Sequence, residues 1–220
     1  YLSDIDLAKA EAGKANIANA LARLVAKDKM GQAEADALMS RIEPVANYEL
    51  MAEAGLIIEA ATEREDIKRK IFEAVGKILG DQAVLASNTS SIPITRLAQS
   101  SPNPKRFIGV HFFNPVPVMG LIEIIRGLAT TDATVDIVRQ YGEALGKQLV
   151  FANDAPGFIV NRIARPFYAE ALQLLQEQAG TPAALDRAMK SAGFMPIEYE
   201  WWHFNAFSRK VAKEKFSVIP

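Results

Sequence analysis

Two residues raise the first chemical possibility. His111 lies in "GVHFFNP" (109–115) and Glu123 in "LIEIIRG" (121–127), each inside an apolar, strand-like run. A glutamate in such a run needs a partner, because burying an unpaired charge costs several kcal/mol. If the two runs are neighbouring strands, Glu123 accepts the Nδ1 proton of His111, and the pair has the geometry of an oriented general base. Spacing alone does not prove that pairing, and a lone histidine beside aromatics is more often core than catalyst. "LASNTSSI" (85–92) places Ser and Thr directly after another apolar run. Ligands bind at the carboxyl ends of strands in open α/β sheets, although a hydroxyl-rich turn explains the stretch equally well. Asn161, in "DAPGFIVNR", falls one turn into a helix, where the plain reading is a solvent-facing amide. Near the end, "EYEWWHF" holds Glu200 and His203 at the Glu-x-x-His spacing that zinc enzymes use.

The elements that must position these residues follow from periodicity. Residues 5–28 read as a long helix with Ile17, Leu21, Leu24 and Val25 on one face, broken by Gly31 and followed by a second helix in "QAEADALMSRI". "AGLIIEAA" (54–61) reads as a short strand buried on both faces, and "AVLAS" (83–87), "FIGVHFF" (107–113), "LIEIIRG" (121–127) and "QLVFAN" (148–153) as further strands. Between them lie an amphipathic helix over 63–79, with Glu63, Glu65 and Asp66 in its first turn, and a helix over 134–146 stopped by Gly146. Strands alternating with helices to residue 153 predict an α/β domain built on a mostly parallel sheet. From 157 the pattern becomes helical: one long helix containing Pro166, then "TPAALDRAMKSAG" with Thr181 as N-cap, Pro182 at N1 and Gly193 near the C-cap. A domain boundary is expected near 153–156.

Composition narrows the function classes. Half of the 220 residues are hydrophobic, 23% are charged and the net charge is −1, so no basic field suggests a nucleic-acid partner. No apolar run reaches the ~18 residues of a membrane span. There are no cysteines, which excludes a disulfide scaffold, a thiolate zinc site and a cysteine nucleophile, and fits a reducing, cytoplasmic setting.

Taken in order, "SNTSSIPIT", "GVHFFNPVPVM", "LIEII", "LGK" and "APGFIVNRI" resemble the 3-hydroxyacyl-CoA dehydrogenases, including the bacterial 3-hydroxybutyryl-CoA dehydrogenases, over about residues 1–193. The resemblance implies a Rossmann-like fold and hydride transfer between C3 of an acyl-CoA and NAD. It implies His111 as general base, Glu123 as its orienting partner, and Ser90 and Asn161 as hydrogen-bond partners of the reacting oxygens. Asp4 matches an acid that binds the adenosine ribose and favours NAD over NADP. Glu63, Lys68 and Asn114 match positions around the nicotinamide half, and Lys27 matches a lysine that meets the CoA phosphates. Lys27 reads equally well as a solvated lysine. Members of the family are usually homodimers.

The sequence departs from the family pattern at both ends. The strand, Gly-x-Gly-x-x-Gly turn and helix that open the family are not in these residues. The expectation is therefore an N-terminally truncated NAD-binding domain (1–153) with an incomplete cofactor site, exposed strand edges and impaired activity. The start of a truncated helical dimerisation domain is expected over 154–193. The remaining residues (194–220) resemble the C-terminal end of D-alanyl-D-alanine dipeptidases, with Glu200 as base and His203 as zinc ligand. That family's other ligands, a His and an Asp, are not found upstream, so no metal site closes. A zinc dipeptidase fragment and a non-catalytic fragment are the alternatives to a dehydrogenase.

Overall fold

A computed structural model of the chain describes residues 1–191. Gly193, Glu200, His203 and the rest of the dipeptidase-like tail lie outside the described residues. The chain divides into two compact units, Tyr1–Ile159 and Val160–Pro220. The division falls after the expected boundary because Phe158 is buried in the core of the first unit and the Ile159 amide is hydrogen-bonded there.

The first unit holds two sheets. Strands β1 (Leu2–Ser3) and β2 (Pro44–Val45) pair in parallel. The main sheet runs β3 (Leu56–Glu59), β4 (Val84–Ser87), β5 (Phe107–Phe112), β6 (Leu121–Arg126) and β7 (Gln148–Asn153), in that spatial order. Its neighbours are parallel except β5 and β6. Residues 113–120, between those two strands, contain no helix, and without a crossover the chain can only return antiparallel. β4 is buried throughout, as its apolar run demands, whereas Leu56, Ile57 and Ile58 of β3 are only half-buried. The expectation of a β3 buried on both faces is corrected: β3 is an edge strand of its sheet.

Period-two alternation sends side chains to two cores, one on each face of the sheet. Leu85, Phe107 and Ile125 pack with Phe72 and Val75 of α3 (Glu65–Gly76), Ile94 and Leu97 of α4 (Ile94–Ala98), and Phe158. Val84, Ala86, Ile108, Val110, Ile122 and Ile124 pack on the other face with Val138 of α5 (Asp132–Ala144). A Cβ on Gly109 would lie 2.8 Å from Ile94 and 2.9 Å from Ile125, so glycine lets α4 approach β5.

The helix ends are set by local caps and by long-range contacts. The first helix, α1 (Leu7–Val25), starts on the Asp6 carboxylate, which accepts from the Lys9 amide at 2.8 Å. It stops at Val25, not at Gly31. Asp28 takes a left-handed φ of 53°, and the Lys29 and Asp28 amides bond back to Leu24 and Val25, which is a Schellman closure. Lys27 is therefore in the turn beyond the helix, correcting its placement on it, and Gly31 instead precedes α2 (Gln32–Met39). The helix expected from 63 begins at Glu65. Glu63 stays outside because its carboxylate is held by the 89–91 turn. α5 ends as expected on Gly146, at φ 67°.

The second unit contains α6 (Val160–Gln176), which keeps Pro166 within the helix, and α7 (Pro182–Ser191). Thr181 caps α7, its hydroxyl accepting from the Ala184 amide at 3.2 Å.

Candidate active site

β5 and β6 pair with His111 directly opposite Glu123. Nδ1 of His111 lies 2.6 Å from Oε2 of Glu123, with His111 6% exposed and Glu123 fully buried. An ionised carboxylate only accepts, so Nδ1 carries the proton and Nε2 is left as the acceptor. The other oxygen of Glu123 accepts from the Ile159 amide at 3.0 Å. That amide is presented by a turn with left-handed backbone at Gly157 (φ 77°) and Phe158 (φ 48°). A bulky residue in that region stores strain of order 1–3 kcal/mol, and such strain gathers at functional sites. Phe158 and Phe113 flank the imidazole, with ring centroids 5.8 and 4.5 Å from it. Asn88, in the loop after β4, accepts from the Phe112 amide at 2.8 Å and so ties the end of β5 to the β4 rim.

A second cluster lies at the carboxyl ends of β3 and β4. Oε1 of Glu63 accepts from the Thr89 hydroxyl at 2.8 Å and from the Ser90 and Ser91 amides at 2.7 and 3.1 Å. The Ser90 and Ser91 hydroxyls also donate to it, at 3.0 and 3.1 Å. Burial alone would raise the pKa of Glu63, but the hydrogen bonds from Thr89 and Ser90 and the charge of Lys68 together hold it below the usual range. Lys68 is 1% exposed, with Nζ 2.7 Å from Glu59 Oε2 and 3.6 Å from Glu63 Oε2.

The structure thus joins His111 to Glu123, and joins Ser90, Glu63 and Lys68 to one another. Asp4, directly after β1, is exposed and accepts from the Ile5 amide. Asn114 and Lys27 are exposed in loops. Asn161 is half-buried in the first turn of α6 and belongs to the second unit. Two residues that hold these clusters escaped sequence reasoning. One is Asn88. The other is Glu59, whose signal was present: like Glu123, it is a glutamate inside an apolar run, "LIIE".

An open, mostly parallel sheet covered on both faces, with a buried histidine–carboxylate pair, has the layout of a nucleotide-dependent oxidoreductase. Comparison with known proteins makes the class specific. Residues 1–155 match the model of the 3-hydroxyacyl-CoA dehydrogenase NAD-binding domain, and residues 157–198 that of the C-terminal domain of the same enzymes. The chain belongs to the 3-hydroxyacyl-CoA dehydrogenase family, which is one of NAD-dependent oxidoreductases. It is 43% identical over 196 residues to a 3-hydroxybutyryl-CoA dehydrogenase of Bradyrhizobium diazoefficiens, covering 89% of this chain and 67% of that one. It is also 43% identical to a probable 3-hydroxybutyryl-CoA dehydrogenase of Deinococcus radiodurans, covering 81% and 64%. The crystal structure of the (S)-3-hydroxybutyryl-CoA dehydrogenase from Ralstonia eutropha superposes with a TM-score of 0.85 at 42% identity, covering 88% of this chain and 69% of that one. The chain spans about two thirds of the length of these relatives. The match to the C-terminal domain model continues past Phe194, where the sequence suggested a change of family.

The residues present have the chemistry that NAD needs: an exposed carboxylate after β1, Asp4, of the kind that accepts from ribose hydroxyls, and a hydroxyl-rich 89–91 turn beside Glu63.

Proposed function

We propose that the protein oxidises an (S)-3-hydroxyacyl-CoA to the 3-oxoacyl-CoA, and catalyses the reverse reduction, in fatty acid β-oxidation or butanoate metabolism. The observation that carries this reading is the 2.6 Å contact between His111 Nδ1 and Glu123 Oε2. With Nδ1 committed, His111 takes the 3-hydroxyl proton on Nε2, and Glu123 stabilises the imidazolium that results. In the reduction His111 returns that proton to the carbonyl oxygen. Imidazole suits this two-way transfer because its intrinsic pKa of ~6.5 is close to neutrality. Ser90 and Asn161 hold the reacting oxygen by hydrogen bonds. NAD⁺, when bound, supplies the acceptor for the hydride leaving C3. Asp4 takes the adenosine ribose, Glu63 and Asn114 serve the nicotinamide half with Lys68 behind Glu63, and Lys27 meets the CoA phosphates.

The test is NADH-linked reduction of acetoacetyl-CoA, followed by loss of NADH absorbance. Turnover is expected in the unsubstituted protein, at an impaired rate. His111→Gln should lower kcat by about 10²–10⁴-fold, with an unchanged circular dichroism spectrum. Equal rates in the two proteins would remove His111 from its role.

A further inference from the structure

The charged cluster behind Ser90 contains a residue with no role in the scheme above. Glu59 is the last residue of β3 and pairs in register with Ser87, the last of β4. It is 5% exposed, and both its oxygens are engaged. Oε1 accepts from the Ala61 amide at 2.8 Å; Oε2 accepts from Lys68 Nζ at 2.7 Å and from the Ser87 hydroxyl at 2.9 Å. The ammonium of Lys68 is thus flanked by two carboxylates, and they are not equivalent. Glu59 is fixed to the sheet and buried. Glu63 lies in a loop with 42% of its side chain exposed, and its far oxygen holds the Thr89–Ser91 turn.

A buried ammonium must stay paired. With Glu59 present, Lys68 is satisfied by the sheet and stands 3.6 Å behind Glu63, attracting it without displacing it. Without that carboxylate, Glu63 would be the nearest counter-charge, and closing on Lys68 would draw it off the amides and hydroxyls of Ser90 and Ser91. We propose that Glu59 is a positioning residue: by anchoring Lys68 it keeps Glu63 on the 89–91 turn, and so sets the orientation of the Ser90 hydroxyl toward the reacting oxygen. The second half of this inference rests on the role given above to Ser90. The first half is purely geometric.

The two halves are separated by two readouts on Glu59→Gln and on the charge-neutral pair Glu59→Gln/Lys68→Met. The first readout is amide hydrogen exchange, which needs no turnover. In Glu59→Gln the Ser90 and Ser91 amides should exchange about tenfold faster or more, with Leu85 and Ala86 of β4 unchanged. In the double variant no ammonium is left to draw Glu63 away, so protection at 90 and 91 should return, together with thermal stability. Unchanged protection at 90 and 91 in folded Glu59→Gln, or protection that stays lost in the double variant, would overturn the proposal. The second readout is acetoacetyl-CoA reduction. In Glu59→Gln kcat should fall about 10–100-fold, because small displacements of a reacting partner cost that much. A merely structural role predicts that Leu85 and Ala86 lose protection together with Ser90 and Ser91, and that result would refute the positioning role. Absence of turnover in unsubstituted, NADH-bound protein would sink the functional reading, while the exchange result would still decide whether Glu59 holds the turn.

Discussion

At the scale of single residues, the site is a set of carboxylates held in different ways. Glu123 is fully buried and spends one oxygen on His111 and the other on the Ile159 amide. Replacing His111 by Ala should cost stability as well as activity, because the carboxylate loses a donor, at about 1–3 kcal/mol. His111→Gln keeps an amide donor within reach and should cost less, which urea denaturation of the two variants will show. Glu63 offers a pH test. Its carboxyl is depressed in the folded protein despite partial burial, because Thr89, Ser90 and Lys68 favour the charged form. Its contribution to stability is therefore fully present above the ordinary glutamate value of 4.5 and is lost as pH falls through the lower folded value. The stability gap between the unsubstituted protein and Glu63→Gln should be constant from neutrality down to about pH 5 and shrink below it. A gap independent of pH down to acid unfolding would show that Glu63 is not held in this way.

At the scale of elements, the His111–Glu123 contact depends on how β5 is seated. Ile94, at the start of α4, presses on Gly109, two residues before His111. Asp154, just past β7, fixes that helix start by accepting from the Ile94 and Thr95 amides at 2.8 and 2.7 Å. Gly109→Ala adds one methyl where there is no room, which should destabilise by about 1–3 kcal/mol. It should also lower kcat, since the strand that moves carries the histidine. A variant as stable and active as the parent would mean that the α4–β5 contact is slack. The 157–159 turn acts on the same pair, seating Phe158 against the imidazole and an amide on Glu123.

At the scale of the whole molecule, the first unit places its polar residues at strand ends and in the loops that follow them, where an open α/β sheet can receive a dinucleotide. NAD⁺ should therefore raise the melting temperature. At about a hundredfold excess over Kd the gain is about 2.7 kcal/mol, or roughly 5–10 °C for a chain of this size. If Asp4 takes the adenosine ribose as proposed, NADP⁺ should give a smaller shift, because its carboxylate would repel a 2′-phosphate. Equal shifts in a thermal melt would remove Asp4 from the ribose site.

Much of this was legible in the sequence. Apolar runs and their periods located all five strands of the main sheet to within about two residues, as expected of strongly patterned segments, and burial of β4 and β6 followed from their composition. The motifs around His111 and Asn161 pointed to the family. Other features were beyond local pattern. The left-handed Asp28 ended α1 before Gly31 because a Schellman closure is set by backbone bonds, not by residue type alone. Glu63 looked like a helix-start acid until the 89–91 turn, far along the chain, claimed its carboxylate. The sequence by itself determined which residues are apolar, which are chargeable, and hence that Glu59 and Glu123 each needed a partner. Only the tertiary structure decided which partners. A one-residue slip between β5 and β6 would turn Glu123 to the opposite face of the sheet, away from His111. That register is set by long-range pairing and packing, which no count of positions along the chain contains.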